Sequence, residues 1–311
     1  MSLTSTKPFV GDRFFAWLAR PQHVLRLELV RMVAPLAILG FMSSRLTHAD
    51  EWIGDAGFRV PDVGPNDWRQ PMYLPALPSS IAWLVAGVLV MSGLAISAGF
   101  RTRVAATVFA CAATYVALAD RLAAFSVSKM APMVAIAIAV SPAGARFGVD
   151  AWRAKKRDPD LVLPDEVRSG TVRFFQILLP TIYCASGIAK ARGDWLHHGF
   201  VLWTHLHDSY QTAFTVAFAN LMPARGWTVL QALVLGFEAG APLWFAWTKT
   251  RMPALVVGVG MHFMIAMMFG PVRWFAMLMA TLLLASYLPD ALLDRLLARL
   301  TTGSARSGST R

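Results

Sequence analysis

Eight apolar runs, at roughly 27–44, 81–100, 104–124, 126–142, 172–189, 227–248, 253–270 and 273–289, divide the chain. Each is near the ~17–25 residues that a helix needs to cross a bilayer. Inside hydrocarbon the backbone must satisfy its own N–H and C=O groups, so runs of this length must be helices. The fourth run is the weakest, being short and carrying Lys129 near its start. Only 15% of the residues are charged, against about 25% in a soluble domain. The chain therefore lacks the polar residues to cover a water-facing surface. The expectation is an all-α, polytopic integral membrane helical bundle of about eight transmembrane helices.

The formal charge of +11 would point to nucleic acid in a soluble protein. Here it reads as basic loops facing anionic lipid, with the bilayer and not nucleic acid as the partner. Cys111 and Cys184 lie inside apolar runs and read as core thiols, which leaves no disulfide framework and no CxxC metal site. Met1–His23 is polar and basic and shows no signal-peptide h-region.

Alternate connections carry unequal basic charge. The N-terminus, 101–103, 143–171, 249–252 and the C-terminal tail, together with Arg173, hold 19 of the 29 Lys and Arg. The other connections hold 9, and Arg31 lies within a span, while Asp and Glu divide 8 and 8. The Lys/Arg bias sets topology, so both termini are expected in the cytoplasm of a multi-pass inner (plasma) membrane protein. The division expected is a cytoplasmic segment 1–26, a transmembrane domain 27–289, and a cytoplasmic tail 290–311. The tail reads as a short interfacial helix over Pro289–Leu300 followed by disorder from Thr301.

The two halves share one layout. A first span leads to a long outer loop, 45–80 or 190–226. A helix then meets a basic turn, Arg101-Thr102-Arg103 or Lys249-Thr250-Arg251, and two further helices follow. Glu51-Trp52-Ile53 with Gly57-Phe58 echoes Asp194-Trp195-Leu196 with Gly199-Phe200. Four spans per unit make a parallel repeat. The outer loops carry Trp52, Trp68, Tyr73, Trp195, Trp203 and Tyr210, the aromatics that settle at a membrane interface. Residues 198–219 read as an amphipathic helix on the outer leaflet.

Four polar residues within or beside the spans need a reason. Arg31 is read first as a snorkelling arginine paired with Glu28 or lipid phosphate. Glu238 and His262 reach similar depth on neighbouring antiparallel spans. They form either a structural clasp or a proton relay or quinone-contacting pair. Lys190, at the outer end of span five, is either a snorkelling lysine or, desolvated at a cavity rim, a base. His197, His198, His205 and His207 lack the Cys or carboxylate that would complete a recognised metal spacing.

The stretch Tyr183-Cys184-Ala185-Ser186-Gly187-Ile188-Ala189-Lys190, with the following Asp194-Trp195, resembles the HTTM family. These are horizontally transferred transmembrane domains related to vitamin K-dependent γ-glutamyl carboxylase. Arg31, Thr102-Arg103, Asp120-Arg121, Phe147-Gly148-Val149-Asp150 and His262 add to the likeness, which runs from about 24 to 288. The resemblance implies a carboxylase-like fold, a reduced quinone such as vitamin K hydroquinone as cofactor, and Lys190 as the base that deprotonates it. It also implies an asparagine-histidine element before span four, where this chain has Phe125-Ser126-Val127, and a large lumenal domain, which is missing here. The basic turn is also similar to that of small four-helix DoxX-like membrane proteins.

Three functions follow as expectations. The first is an HTTM membrane protein binding a quinone or similar lipid in an outward-facing cavity near Lys190, Glu238 and His262, without competence for γ-glutamyl carboxylation. The second is a non-enzymatic accessory or immunity-type protein with a membrane or exported protein partner. The third is a small-solute transporter that relays protons through Glu238 and His262.

Overall fold

The computed structural model describes residues 10–57, 74–119, 126–207 and 211–307. Phe58, Trp68, Tyr73, Asp120, Arg121, Phe125 and Tyr210, singled out above, lie outside them. The chain opens with helix α1 (Val10–Leu18) and strand β1 (Pro21–His23). Helices α2 (Val24–Leu46), α3 (Ala49–Trp52), α4 (Ser79–Ala98), α5 (Thr102–Ala119), α6 (Ser126–Ala139) and α7 (Val149–Arg157) complete the first half. Strand β2 (Glu166–Arg168) pairs antiparallel with β1, Gln22 opposite Val167, and ties the two halves at one end. The second half runs through α8 (Thr171–Arg192), α9 (Val201–Leu206), α10 (Ala213–Leu221), α11 (Ala224–Ala246), α12 (Thr248–Met268), α13 (Arg273–Tyr287) and α14 (Asp290–Ser307).

All eight apolar runs are helices, and the molecule is an all-α membrane bundle. Five helices (α4, α5, α8, α11 and α12) are long and apolar enough to span by themselves. Three runs depart from the expectation of eight equal spans. The helix α6 has only 14 residues. The helix α13 has 15 and bends by 104° into α14. The helix α2 is long but polar, because Arg26, Glu28, Arg31 and Arg45 are all buried within it. It sits where the two halves meet, so protein and not lipid surrounds those charges.

Each half closes into a ring of four with the same neighbour order. In the first, α2 packs on α4, α4 on α5, α5 on α6, and α6 returns to α2. In the second, α8 packs on α11, α11 on α12, α12 on α13, and α13 returns to α8. The rings join chiefly through α2 against α13. The acid-Trp echo has a structural counterpart too. At the end of α2 the Arg45 guanidinium lies 5.0 Å over the Trp52 ring, and at the end of α8 the Lys190 ammonium lies 4.7 Å over Trp195. Exposed Leu84, Met91, Val104, Leu243 and Phe263 on the outer faces present the apolar surface that lipid tails require.

The Arg31 expectation is half corrected. Its Nε donates to Glu28 Oε2 at 2.8 Å, but it does not snorkel to lipid: both side chains are buried, at 1% and 2% exposure. One terminal nitrogen donates to Ile96 O (2.9 Å) and Ser97 O (2.6 Å), and the other to Phe147 O (2.7 Å). Glu28 Oε1 accepts from the backbone N–H groups of Arg146 and Phe147. The pair thus satisfies carbonyls that the end of α4 leaves open. Gly99, at φ +70°, ends α4 in the left-handed conformation and touches the backbone of Gly148, where a Cβ on either residue would collide. Three features the resemblance picked out separately (Arg31, the turn after Gly99 and Phe147-Gly148) form one knot.

Three local expectations are corrected. Residues 198–219 are not one helix but α9 and α10, because Thr212 starts a new helix through a capping box with Thr215. The tail is helical through Ser307, not disordered from Thr301. Cys111 is exposed on α5 and is not a core thiol.

A candidate binding site at the Lys190–Glu238 pair

One face of α8 carries the site. Tyr183, Gly187 and Lys190 stand at i, i+4 and i+7, which places them in line along the helix. Gly187 lets α8 approach α11 so closely that a Cβ there would fall 2.5 Å from Ala239 N. That contact brings Lys190 to the neighbouring residue, and Lys190 Nζ donates to Glu238 Oε1 at 2.5 Å. Glu238 is buried and Lys190 about a quarter exposed. Trp195 covers the ammonium, and its loop is held by Gln231, seven residues before Glu238 on the same face of α11. Gln231 Nε2 donates to Trp195 O (2.7 Å) and His198 O (2.8 Å), and its Oε1 accepts from Leu202 N (3.1 Å).

The expected Glu238–His262 hydrogen bond is not made. His262 Nε2 is hydrogen-bonded to the Tyr183 hydroxyl at 2.6 Å, and both rings are buried. The two residues stand on adjacent helices, but adjacency does not fix the direction in which a side chain points. Both residues take partners from α8. The structure therefore brings Lys190, Glu238 and His262 to one helix face as two bonded pairs. Glu238 Oε2 and His262 Nδ1 remain buried without a hydrogen-bond partner among the described residues, and buried polar atoms in that state call for an explanation.

Beside the ion pair lies a cavity of about 580 Å³ between α11 and α12. Leu230, Val234 and Phe237 of α11 face Met261, Met264 and Ile265 of α12 across it, with α9 and α10 at its end. Among the described residues, charge enters this apolar lining only through Lys190 and Glu238, and His205 adds an imidazole. Leu233 and Val257 also line it and are well exposed, so the cavity opens sideways between the two helices. Gly260 is on its wall, and a Cβ added there meets nothing within 4 Å.

The histidine cluster turns inward on its own backbone: His205 Nδ1 bonds Val201 O and His207 Nδ1 bonds Trp203 O. No group of three or more His, Cys, Asp or Glu among the described residues could hold a metal ion. Tyr183, Gly187 and Gln231 were the contributors not assigned from sequence. Gln231 did leave a signal, as a lone amide inside an apolar run one heptad from Glu238.

Several apolar helices long enough to span, packed around a largely apolar cavity, define a multi-pass membrane protein. The HTTM domain family model matches residues 55–287, well over half the chain, and the protein belongs to that family. No curated protein and no solved structure matches it.

Proposed function

We propose that the cavity binds one lipid-soluble molecule, a reduced quinone or a lipid of similar shape, with its polar head at Lys190 and Glu238. The supporting observation is a cavity of about 580 Å³, within the ~300–1,000 Å³ of ordinary ligand sites, whose charge is confined to one ion pair. A ligand made wholly of hydrocarbon would leave Glu238 Oε2 unsatisfied, and a polar solute would waste the apolar walls. A head with a hydroxyl and an apolar tail matches both parts.

The chain's own residues divide the work. The α11 and α12 side chains hold the tail, and the sideways opening admits it from the bilayer. Glu238 Oε2 accepts a hydrogen bond from a ring hydroxyl. Lys190 keeps that carboxylate charged and oriented, and its ammonium stabilises negative charge developing beside it. A reduced quinone would supply an acidic hydroxyl and two electrons. Tyr183 lies seven residues, about two helical turns, before Lys190 on α8, and its bond to His262 braces α8 against α12 beside the site without touching the ion pair.

The proposal extends to an outward-facing cavity, cytoplasmic termini and a carboxylase-like arrangement without γ-glutamyl carboxylation. Val127, where the resemblance calls for a histidine, is buried in the apolar core of the first ring. The transporter alternative loses its main support, since Glu238 and His262 do not bond. Extraction in mild detergent followed by mass spectrometry of bound lipids tests the reading. A stoichiometric quinone supports it, whereas a co-purifying protein with no bound lipid favours an accessory role.

A further inference from the structure

The opposite end of the second ring holds a cavity of different character. It has a volume of about 570 Å³ and is lined by Arg20, Arg173 and Arg251 with Trp17, Gln176 and Tyr287. Arg173 precedes Lys190 by 17 residues on α8, so ~26 Å separates the two sites along the helix, close to the thickness of a hydrocarbon core.

The bonds inside this corner leave its cations uncompensated. Arg251 Nε donates to Phe245 O at 3.1 Å and a terminal nitrogen to Ala246 O at 3.3 Å. Arg173 donates to Gln176 Oε1 at 2.7 Å and lies 4.9 Å over the Trp17 ring. Its Nε is buried with no partner among the described residues. Gln176 Nε2 is engaged by Ser286 O, and the Tyr287 hydroxyl by Gln176 O. Among the described residues no carboxylate pairs with Arg20, Arg173 or Arg251, and Asp290, on the adjoining α14, is held by Arg26 at 2.7 Å.

The first ring shows what such a corner requires. There Arg31 donates to carbonyls at the end of α4, as Arg251 does to those at the end of α11, and Glu28 neutralises it from within the protein. The second ring has the cations and the carbonyls, but among the described residues the neighbouring carboxylate, Asp290, pairs with Arg26 and with none of the three arginines that line the cavity. We propose that the corner binds an external anion of phosphate chemistry, either the phosphate of an anionic phospholipid or a free phosphate, which would supply the negative charge that Glu28 supplies to Arg31. The planar arginine fork offers two N–H groups to two oxygens of a tetrahedral phosphate and gives charge-assisted bonds. The adjoining helix α1 exposes Phe14 and Phe15, an apolar edge suited to the interface where phospholipid phosphates lie.

The test uses the full chain in mild nonionic detergent. Native mass spectrometry compares retention of phosphatidylglycerol with that of phosphatidylcholine, and thermal melting is followed with added inorganic phosphate. The expected result is one phosphatidylglycerol retained in preference to phosphatidylcholine. Arg20→Gln should weaken it about tenfold, the worth of one charge-assisted bond, and Arg20→Gln/Arg173→Gln should abolish the preference. If inorganic phosphate raises the melting temperature of the wild type and displaces the lipid, the source is the free anion. If it does neither while the lipid preference stands, the source is the headgroup. Equal retention of both lipids with no effect of phosphate overturns the proposal, as does an unchanged preference in normally melting variants. Should the double variant fail to fold, Arg20→Gln decides alone, because that guanidinium makes no bond among the described residues.

Discussion

Lys190 Nζ donates to Glu238 Oε1 at 2.5 Å across an α8–α11 contact that Gly187 makes possible. Glycine here is a spacing device: with no Cβ it sets the two backbones close enough for a lysine and a carboxylate, each one turn or less away, to meet. A Gly187→Val substitution should push the helices apart, costing about 1–3 kcal/mol by overpacking. A thermal melt in detergent checks this, and a melting temperature at or above the wild type would show that the contact is not tight.

Breaking the pair from one side should cost more than removing it whole. Lys190→Met strands a buried Glu238, and Glu238→Leu strands a partly buried ammonium, each at roughly 3 kcal/mol. Lys190→Met/Glu238→Leu should cost clearly less than the two combined. Strict additivity of the melting shifts would mean that the residues do not interact in the folded protein.

Tyr183→Phe should destabilise by about 1–3 kcal/mol, because it leaves the buried His262 Nε2 without its partner. A double-mutant cycle of Tyr183→Phe with His262→Leu should give a larger coupling than one of Glu238→Gln with His262→Leu. The reverse order would restore the Glu238–His262 clasp that the sequence suggested.

These contrasts mark how far the sequence could be read. The apolar runs located the eight helices of the two rings, since hydrocarbon permits little else, though not the full length of α14, and the repeated acid-Trp elements pointed to matching halves. Lys190, Glu238 and His262 stood out because charge in a span demands a reason. Their pairing was not legible. The short connection at Trp247 makes α11 and α12 neighbours, but the azimuth of Glu238 depends on whether α11 turns its Gln231–Glu238 face toward α12 or toward α8. Gly187 held the answer, and a glycine in an apolar run reads equally well as a packing contact or as an indifferent small residue. The polarity of α2 was legible only as an anomaly, because the carbonyls that Arg31 satisfies belong to residues 65 to 116 positions away.

Orientation rests on the 19-to-9 division of basic residues. With Cys111 and Cys184 removed, single cysteines at Ser80 and Ser304 should differ in intact cells. An impermeant maleimide is expected to reach 80 and not 304, and the opposite pattern would invert the topology.

Carboxylation of glutamate should be absent. Purified protein given reduced vitamin K and a glutamate-containing peptide should incorporate no labelled CO₂, since Val127 can neither donate nor accept a proton. One positioned acid or base is worth about 10²–10⁴-fold in rate. Incorporation that disappears in Lys190→Ala would refute this and assign the missing role to another residue.

The cavity between α11 and α12 is central to the proposed binding, and Gly260 offers direct access to it. Gly260→Leu places a side chain into open space within the lining without displacing any neighbour at its Cβ, so the fold should survive and the volume should shrink. The measurement is the amount of quinone or similar lipid retained per chain after detergent extraction, wild type against Gly260→Leu, with melting curves on both. The account predicts about one molecule per wild-type chain and a loss of most of it in a variant that melts normally. Equal retention by the two proteins, or no bound lipid in the wild type, would contradict it.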